Sequence, residues 1–587
     1  MVLAFDAFSH AESSRYCRCL PHQPCWPSAA EWTNFSKRLK GRLVKPQPLL
    51  AACQTDANSK RCHQTLKDIH NPFYIESVPS GTQSQGWVNA WNSKASEYAV
   101  EAETTSDVVT AVNFARQHHL KLVIKGTGHD YLGRSNAPQS LLIWTHKMRQ
   151  ITFHPAFTAK GCSSTTKTPA FTVGAGARWF DVYNAVGKQH HLYVQGGGCT
   201  TVGAAGGFPQ GGGFGSFSKK YGTGAAGVLQ VEIVTADGKS VIANQCQHPD
   251  LFWAVRGGGG GTFGVVTQMT FKAHPLSHNF GLFQGTITAK NDVAYKNLLR
   301  QFLIFFRQNL NNENWGEQVA FNANNKIHIG MLFQGLNAKE VDRIWSPLRQ
   351  WIKKNSNLYS INDKIFLIPG ERLWDYSYLK KHYPELVSRN TEPGAAENEF
   401  WWTSDSGQVS EYWYSYQSWW LPKSLFEDNY LKQTSEIIFK ASRLANVAFH
   451  INKGLAGASS QAITESRKTS TNPAVYAAPA LVIIAGGNHQ FYPGVKGYVL
   501  NKTETQDKIQ KINAAIQLFM QAAPHSGAYA NEADYFQKNW QQVFWGNHYQ
   551  KLFLIKQKYD PEGLFYCHHC VGSERWENQG MCLKRRK

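Results

Sequence analysis

The sequence predicts an α+β protein with two unlike halves, and three observations carry that reading. Glycine gathers in runs at 126–133, 196–215 and 257–264, each next to a strand or helix signal. Aromatic residues make up 13% of the chain and crowd its second half, in Phe400-Trp401-Trp402 and along residues 412–420. Of the 11 cysteines, Cys17, Cys19, Cys25, Cys53 and Cys62 stand near the start. A chain of 587 residues is long enough for more than one core, and 42% hydrophobic against 17% charged residues describes a folded globular protein.

Residues 1–75 read as a cysteine-rich extension with a short helix over 29–39. Such crowding points to disulfide staples and an oxidising compartment. With Cys199 set aside, the remaining cysteines are even in number, and their pairing stays open. Asn34-Phe35-Ser36 and Asn501-Lys502-Thr503 are glycosylation sequons, which matter only on a secretory route. Residues 1–11 lack a basic start and a long apolar core, although Ser9-His10-Ala11 has the character of a trimmed cleavage site. The expectation is an exported protein. No apolar run reaches the roughly 18 residues of a membrane span.

From residue 98 the pattern becomes regular. Ser106-Asp107 offers a helix N-cap, and Val108, Ala111, Val112 and Ala115 share one helical face. A buried strand at 120–124 runs straight into the first glycine loop. A strand at 171–176 and a helix over 179–190 lead to the second loop, which holds Cys199. A strand at 228–235 turns back through Ala236-Asp237-Gly238-Lys239. A short helix from Pro249, closed by Gly257, precedes the third loop and a strand at 265–271. Beyond 276 glycine thins and aromatics thicken, which marks a domain boundary. Alternation of Tyr412, Tyr414 and Tyr416 with Trp413, Ser415 and Gln417 predicts a strand with two unlike faces. A strand at 480–485 and helices over 505–522 and 540–559 complete the chain.

Several chemistries are excluded. The net charge of +20 is spread along the chain, with one tight run at Lys584-Arg585-Arg586-Lys587, and no nucleic-acid module accompanies it. Gly126-Thr127-Gly128 and Gly174-Ala175-Gly176 lack the third glycine of a nicotinamide fingerprint, and no P-loop is present. Cys567-His568-His569-Cys570 has half the spacing of a zinc site but no second pair, so no metal is expected and a disulfide or a packed terminus is favoured. No G-x-S-x-G elbow supports a hydrolase. What remains is a large redox cofactor lying on bare backbone. His129 and Cys199 each stand inside a glycine loop, and imidazole and thiolate are the two groups able to bond to an isoalloxazine ring.

These residues resemble the berberine bridge enzyme-like flavoproteins of the vanillyl-alcohol oxidase superfamily, over most of the chain. Lys125-Gly126-Thr127-Gly128-His129-Asp130-Tyr131-Leu132-Gly133-Arg134-Ser135 is similar to that family's histidine loop. Gly198-Cys199-Thr200-Thr201-Val202-Gly203 is similar to its cysteine loop, and the segment 252–261 to its third flavin segment. Tyr529-x-Asn531-x-x-Asp534 and Tyr559-Asp560-Pro561 resemble its returning C-terminal segments. The resemblance implies a two-subdomain PCMH-type FAD-binding domain over 76–275, an inserted antiparallel-sheet substrate domain over 276–524, and a tail over 525–587 that returns to the first. It implies FAD attached twice, His129 to the 8α-methyl and Cys199 to C6. Lys125, Gly126, Thr127, Gly128, Asp130, Ser135, Thr200, Val202, Gly203, Gly207, Gly213, Gly215, Gly264, Val265 and Asn531 would complete the cofactor site. Val202 implies access for dioxygen as electron acceptor, hence an oxidase producing peroxide.

Tyr529 is the implied base, a role that requires nearby positive charge to lower its phenol. The expected substrate is a small molecule bearing a CH–OH group, an alcohol or a sugar. One departure from the resemblance is the strand at 480–485, which in the family's sugar-oxidising members often presents Gln or Glu and here carries neither, and this speaks against carbohydrate. Oxidative cyclisation or desaturation of a natural product is the second enzymatic reading. A basic protein that binds glycans through an aromatic face around Trp401 and Trp413 is the non-enzymatic one.

Overall fold

The computed structural model describes residues 16–163 and 167–584. The cleavage-site reading at Ser9-His10-Ala11 and the end of the basic run therefore lie outside the described residues. Among the described residues no helix is long and apolar enough to cross a membrane.

The first layer grows from the helix Thr105–Gln117. Its N-cap is Thr104, two residues before the position read from sequence, and Asp107 closes a capping box instead of starting the helix. Val108, Ala111, Val112 and Ala115 are fully buried and pack on the strands Lys121–Lys125 and Ser140–Trp144. Each buried valine contributes about 1.5–3 kcal/mol, so a charge at Val112 would undo this face. Lys121–Lys125 pairs parallel with Ser140–Trp144, which pairs parallel with Tyr98–Glu101. The strand Arg42–Val44, from the N-terminal extension, closes that edge.

The second sheet is antiparallel, in the order Ser240–Ala243, Val228–Val234, Val265–Lys272, Thr168–Gly174, Ile151–Phe157. Its hairpin turns at the expected place, where Gly238 takes φ +75° and the Thr235 hydroxyl donates to Asp237. The helix from Trp179 is shorter than expected. It runs Trp179–Tyr183 and loosens into a π-turn over Asn184–Lys188.

The third sheet has nine strands and supplies the far wall of the site. Most come from the region after 276, but its last two, Ser84–Trp87 and Trp91–Asn92, precede the first glycine loop in the chain. Ser84–Trp87 pairs parallel with Glu411–Leu421. That aromatic strand is buried along its whole length. Trp413 is 5% exposed, so the sheet offers no open aromatic face there for glycans.

A register shift between Trp413 and Ser415 also breaks the simple alternation. It turns Trp413 and Tyr416 to one side, ring centroids 5.0 Å apart. Ser415 and Gln417 instead donate to Asn513 on the helix Lys502–Ala522.

Near the end, the helix read as continuous over 540–559 is two, Trp540–Trp545 and Tyr549–Tyr559. Gly546 separates them at φ +54°. Disulfides join Cys17 to Cys582, Cys19 to Cys25, Cys53 to Cys62, Cys162 to Cys246 and Cys567 to Cys570. The first ties the two ends of the chain together. Arg18 reinforces it by donating to the carbonyls of Leu120, Gly563 and Leu564.

Candidate active site

The histidine loop leaves the strand Lys121–Lys125 and turns on Gly128, whose φ of +83° demands glycine. Lys125 fixes the turn from beneath. Its ammonium is buried and donates to the carbonyls of Val78, Pro79 and Gly81 at 3.1, 2.5 and 3.1 Å, and burial lowers it to about 7. Asp130 folds the loop back on itself, accepting from the backbone and Nε of Arg134 at 2.6 Å each. Between them stands His129, with Nε2 2.7 Å from Thr201 Oγ1. Burial lowers the imidazole to about 4, so at neutral pH it is uncharged and keeps a lone pair.

The cysteine loop is held by its own backbone. Trp179 N–H donates to Val202 O, Phe180 N–H to Thr200 O, and the Tyr183 hydroxyl to Gly197 O at 2.9 Å. A Cβ on Gly196 would stand 2.4 Å from the Trp179 ring, whereas one on Gly198 would meet nothing within 4 Å. Glycine is thus required at the first position by packing, while at the third the backbone is left bare. Cys199 is the one free cysteine among the described residues. It shares the cavity wall with Asp405, and burial, with the Asp405 carboxyl adding to it, pushes the thiol well above its ordinary range.

Both loops open into one cavity of about 940 Å³. Of the residues expected at a cofactor, Lys125, Gly126, Thr127, Gly128, His129, Asp130, Ser135, Cys199, Val202, Gly203, Gly207, Gly264 and Asn531 line it, and so does Tyr529. Thr200, Gly213, Gly215 and Val265 stand behind the wall. Thr200 and Val265 are buried. A Cβ on Gly213 would lie 2.6 Å from Phe208, and one on Gly215 2.0 Å from Gly196 O, so these glycines serve close packing.

The opposite wall carries groups that sequence reading did not single out. The turn Thr403–Gln408 presents Asp405, raised to about 7 by burial, with Oδ2 buried and unpartnered. Glu317 has φ +65° and accepts from Ser216 Oγ. Lys453 and Glu532 form an ion pair, and burial depresses His450. Only Glu532 falls within a quoted motif, at an unspecified position of Tyr529-x-Asn531-x-x-Asp534. The one outward sign is that Asp405 belongs to a Ser/Gly-rich turn just after Phe400-Trp401-Trp402.

Tyr529, 5% exposed, is not the lowered phenol that sequence reading required. Burial raises it and Glu532 adds to the rise. Its oxygen accepts from Asn531 Nδ2 at 3.1 Å.

Residues 96–244 match the family model for an FAD binding domain, and residues 528–572 the one described as berberine and berberine like. The FAD-linked oxidoreductase ZEB1 of Gibberella zeae is 32% identical, over 99% of this chain and 98% of its own length. The chain belongs to the berberine bridge enzyme-like flavoproteins.

Among solved structures, the VAO-type flavoprotein MtVAO713 of Myceliophthora thermophila superposes with a TM-score of 0.79 at 25% identity, covering 97% of this chain and all of that one. Glucooligosaccharide oxidase of Acremonium strictum, described as carrying 6-S-cysteinyl, 8α-N1-histidyl FAD, shares the fold at a TM-score of 0.63 and 20% identity, covering 84% of this chain and 94% of that one.

This berberine bridge enzyme-like protein is therefore an FAD-linked oxidoreductase with a PCMH-type fold. Its own residues fit the cofactor. Gly198 and Gly207 leave open space where a side chain would stand. Gln83 and Asn452, both buried and lining the cavity, hold oxygens without partners.

Proposed function

We propose that the protein is an oxidase acting on a CH–OH group of an alcohol or sugar, with FAD held through both His129 and Cys199. The observation that carries this reading is that an uncharged imidazole and the free thiol face one cavity from adjoining glycine loops. The relative described as holding cysteinyl and histidyl FAD supports it. When bound, FAD supplies the hydride acceptor and a route for electrons to dioxygen, which leaves as hydrogen peroxide.

The chain's residues supply the rest. Asp405, poised near neutrality with a free oxygen, is the proton acceptor for the substrate hydroxyl. Tyr529 stays neutral. Its oxygen is occupied by Asn531, so its O–H is free to donate to the substrate oxygen and orient it. Lys453 and Glu532 keep the charge of the wall balanced beside them. Val202, facing the cavity next to the cysteine loop, keeps that wall low enough for dioxygen.

Leu282, Leu332, Trp374 and Trp402 make part of the wall apolar, and residues 480–488 contribute nothing to it. This favours a bulky, ring-bearing natural-product alcohol over an unmodified sugar. On such a substrate, ring closure or desaturation is the second reading. Five disulfides and the exposed sequon residues Asn34 and Asn501 support export. Peroxide release on a panel of alcohols and sugars, with product mass, tests the proposal. A loss of two hydrogens with equimolar peroxide is expected, and a panel of diverse ring-bearing alcohols that yields no peroxide contradicts it.

A further inference from the structure

The turn Thr403–Gln408 is bonded to the histidine loop and shares the cavity wall with the cysteine loop. Tyr131, two residues beyond His129, donates its hydroxyl to Gln408 Oε1 at 2.6 Å, and its ring stacks on Tyr416 at 4.8 Å. The turn is thereby pinned to the histidine loop. Trp401 Nε1 donates to Ser406 Oγ at 3.5 Å and braces it from the preceding strand. At the other end of the same turn Asp405 lines the cavity together with Cys199, near enough for its carboxyl to act on the thiol, and its Oδ2 is buried and unpartnered. A substrate-side turn with no cofactor motif of its own therefore places a carboxyl near the one sulfur that the two-link reading requires to react.

We propose that Asp405 is the proton acceptor that drives attachment of FAD to Cys199, so that the protein matures its own cofactor before Asp405 ever meets substrate. The inference rests on the two-link reading. In the step, Asp405 takes the thiol proton and the sulfur pair forms a bond to C6 of the ring. The C6–H bond breaks, its proton is lost, and its electron pair leaves the ring reduced by two electrons. Dioxygen removes these as hydrogen peroxide.

The chemistry asks for such a group. The thiol is half-buried and its surroundings hold it well above its ordinary range, and a thiol is a poor nucleophile until it loses its proton. The titratable groups that interact with Asp405 are Cys199, Glu317 and Tyr131, and Lys453 acts on the same thiol. Glu317 already accepts from Ser216 and Lys453 is paired with Glu532, which leaves Asp405 as the carboxyl with an open position.

The test uses His129→Ala, in which Cys199 is the sole link, alone and combined with Asp405→Asn or Asp405→Glu. Each full-length protein is incubated with excess FAD from about pH 5 to about pH 9. Intact mass counts the covalent adduct, and acid-soluble flavin reports non-covalent binding. The proposal expects adduct in His129→Ala at a rate that rises to a plateau near neutrality. Asp405→Asn should bind FAD but form adduct about 100-fold more slowly and without that rise, while Asp405→Glu keeps most of the rate.

Equal rates with and without Asp405→Asn overturn it. If Asp405→Asn binds no FAD, Asp405→Glu decides: an unmoved midpoint overturns the proposal and a shifted one supports it. Adduct missing from His129→Ala itself contradicts the two-link reading, and the proposal falls with it, a result distinct from failure of the Asp405 variants alone.

Discussion

His129 Nε2 lies 2.7 Å from Thr201 Oγ1, so the imidazole of one glycine loop is fixed by a hydroxyl of the other. The contact joins two segments 72 residues apart in the chain. It also commits Nε2, which leaves Nδ1 as the nitrogen free to react. Thr201→Val is expected to lower the fraction of flavin bound to His129 about tenfold, and Thr201→Ser to retain it. Peptide mass spectrometry on a Cys199→Ala background reads this directly.

Asp405 sets a pH dependence. A carboxyl held near 7 is protonated below that pH and cannot accept a proton. Peroxide formation, as kcat/KM, should therefore rise with pH up to about 7 and then level. Asp405→Asn should lower the plateau by about 10²–10⁴ and abolish the rising limb. An unchanged limb in that variant would assign the titration to another group.

Val202 lines the cavity beside the cysteine loop. Val202→Leu adds a methylene to the wall proposed as the path of dioxygen. Peroxide production is expected to fall about tenfold, while reduction of an added dye by the same enzyme is unchanged. A parallel fall in both activities would mean that the substitution distorts the site instead of blocking a path.

Lys125 ends in three backbone carbonyls. Lys125→Met leaves those carbonyls buried and unmatched, at about 1–3 kcal/mol each if none relaxes. Thermal unfolding should move down by several degrees, and the histidine loop should lose its support. The expected companion is reduced linkage at His129 with linkage at Cys199 intact.

Much of the site was legible because glycine, histidine and cysteine act through local backbone. Gly128 needs its positive φ, Gly198 its bareness, and Cys199 is the cysteine left over once the others pair. Asp405 and Glu317 were not legible. Asp405 stands in a turn pinned to the histidine loop by Tyr131 and Gln408, 277 residues apart in the chain, and Glu317 takes a left-handed backbone position that no residue pattern announces. Ser84–Trp87 joins Glu411–Leu421 across more than 300 residues, for the same reason. The shift inside Glu411–Leu421 defeated a period-2 reading, and one glycine, Gly546, divided a helix that periodicity ran together.

In the proposed attachment His129 and Cys199 both hold the flavin. The direct measurement is to precipitate the purified protein in acid and ask whether the yellow colour stays with the pellet, in wild type, His129→Ala, Cys199→Ala and the double variant. Two links predict colour in the pellet for the wild type and for each single variant, and colour in the supernatant for the double. Release of the colour from the wild type, or from either single variant, would rule out attachment at both residues.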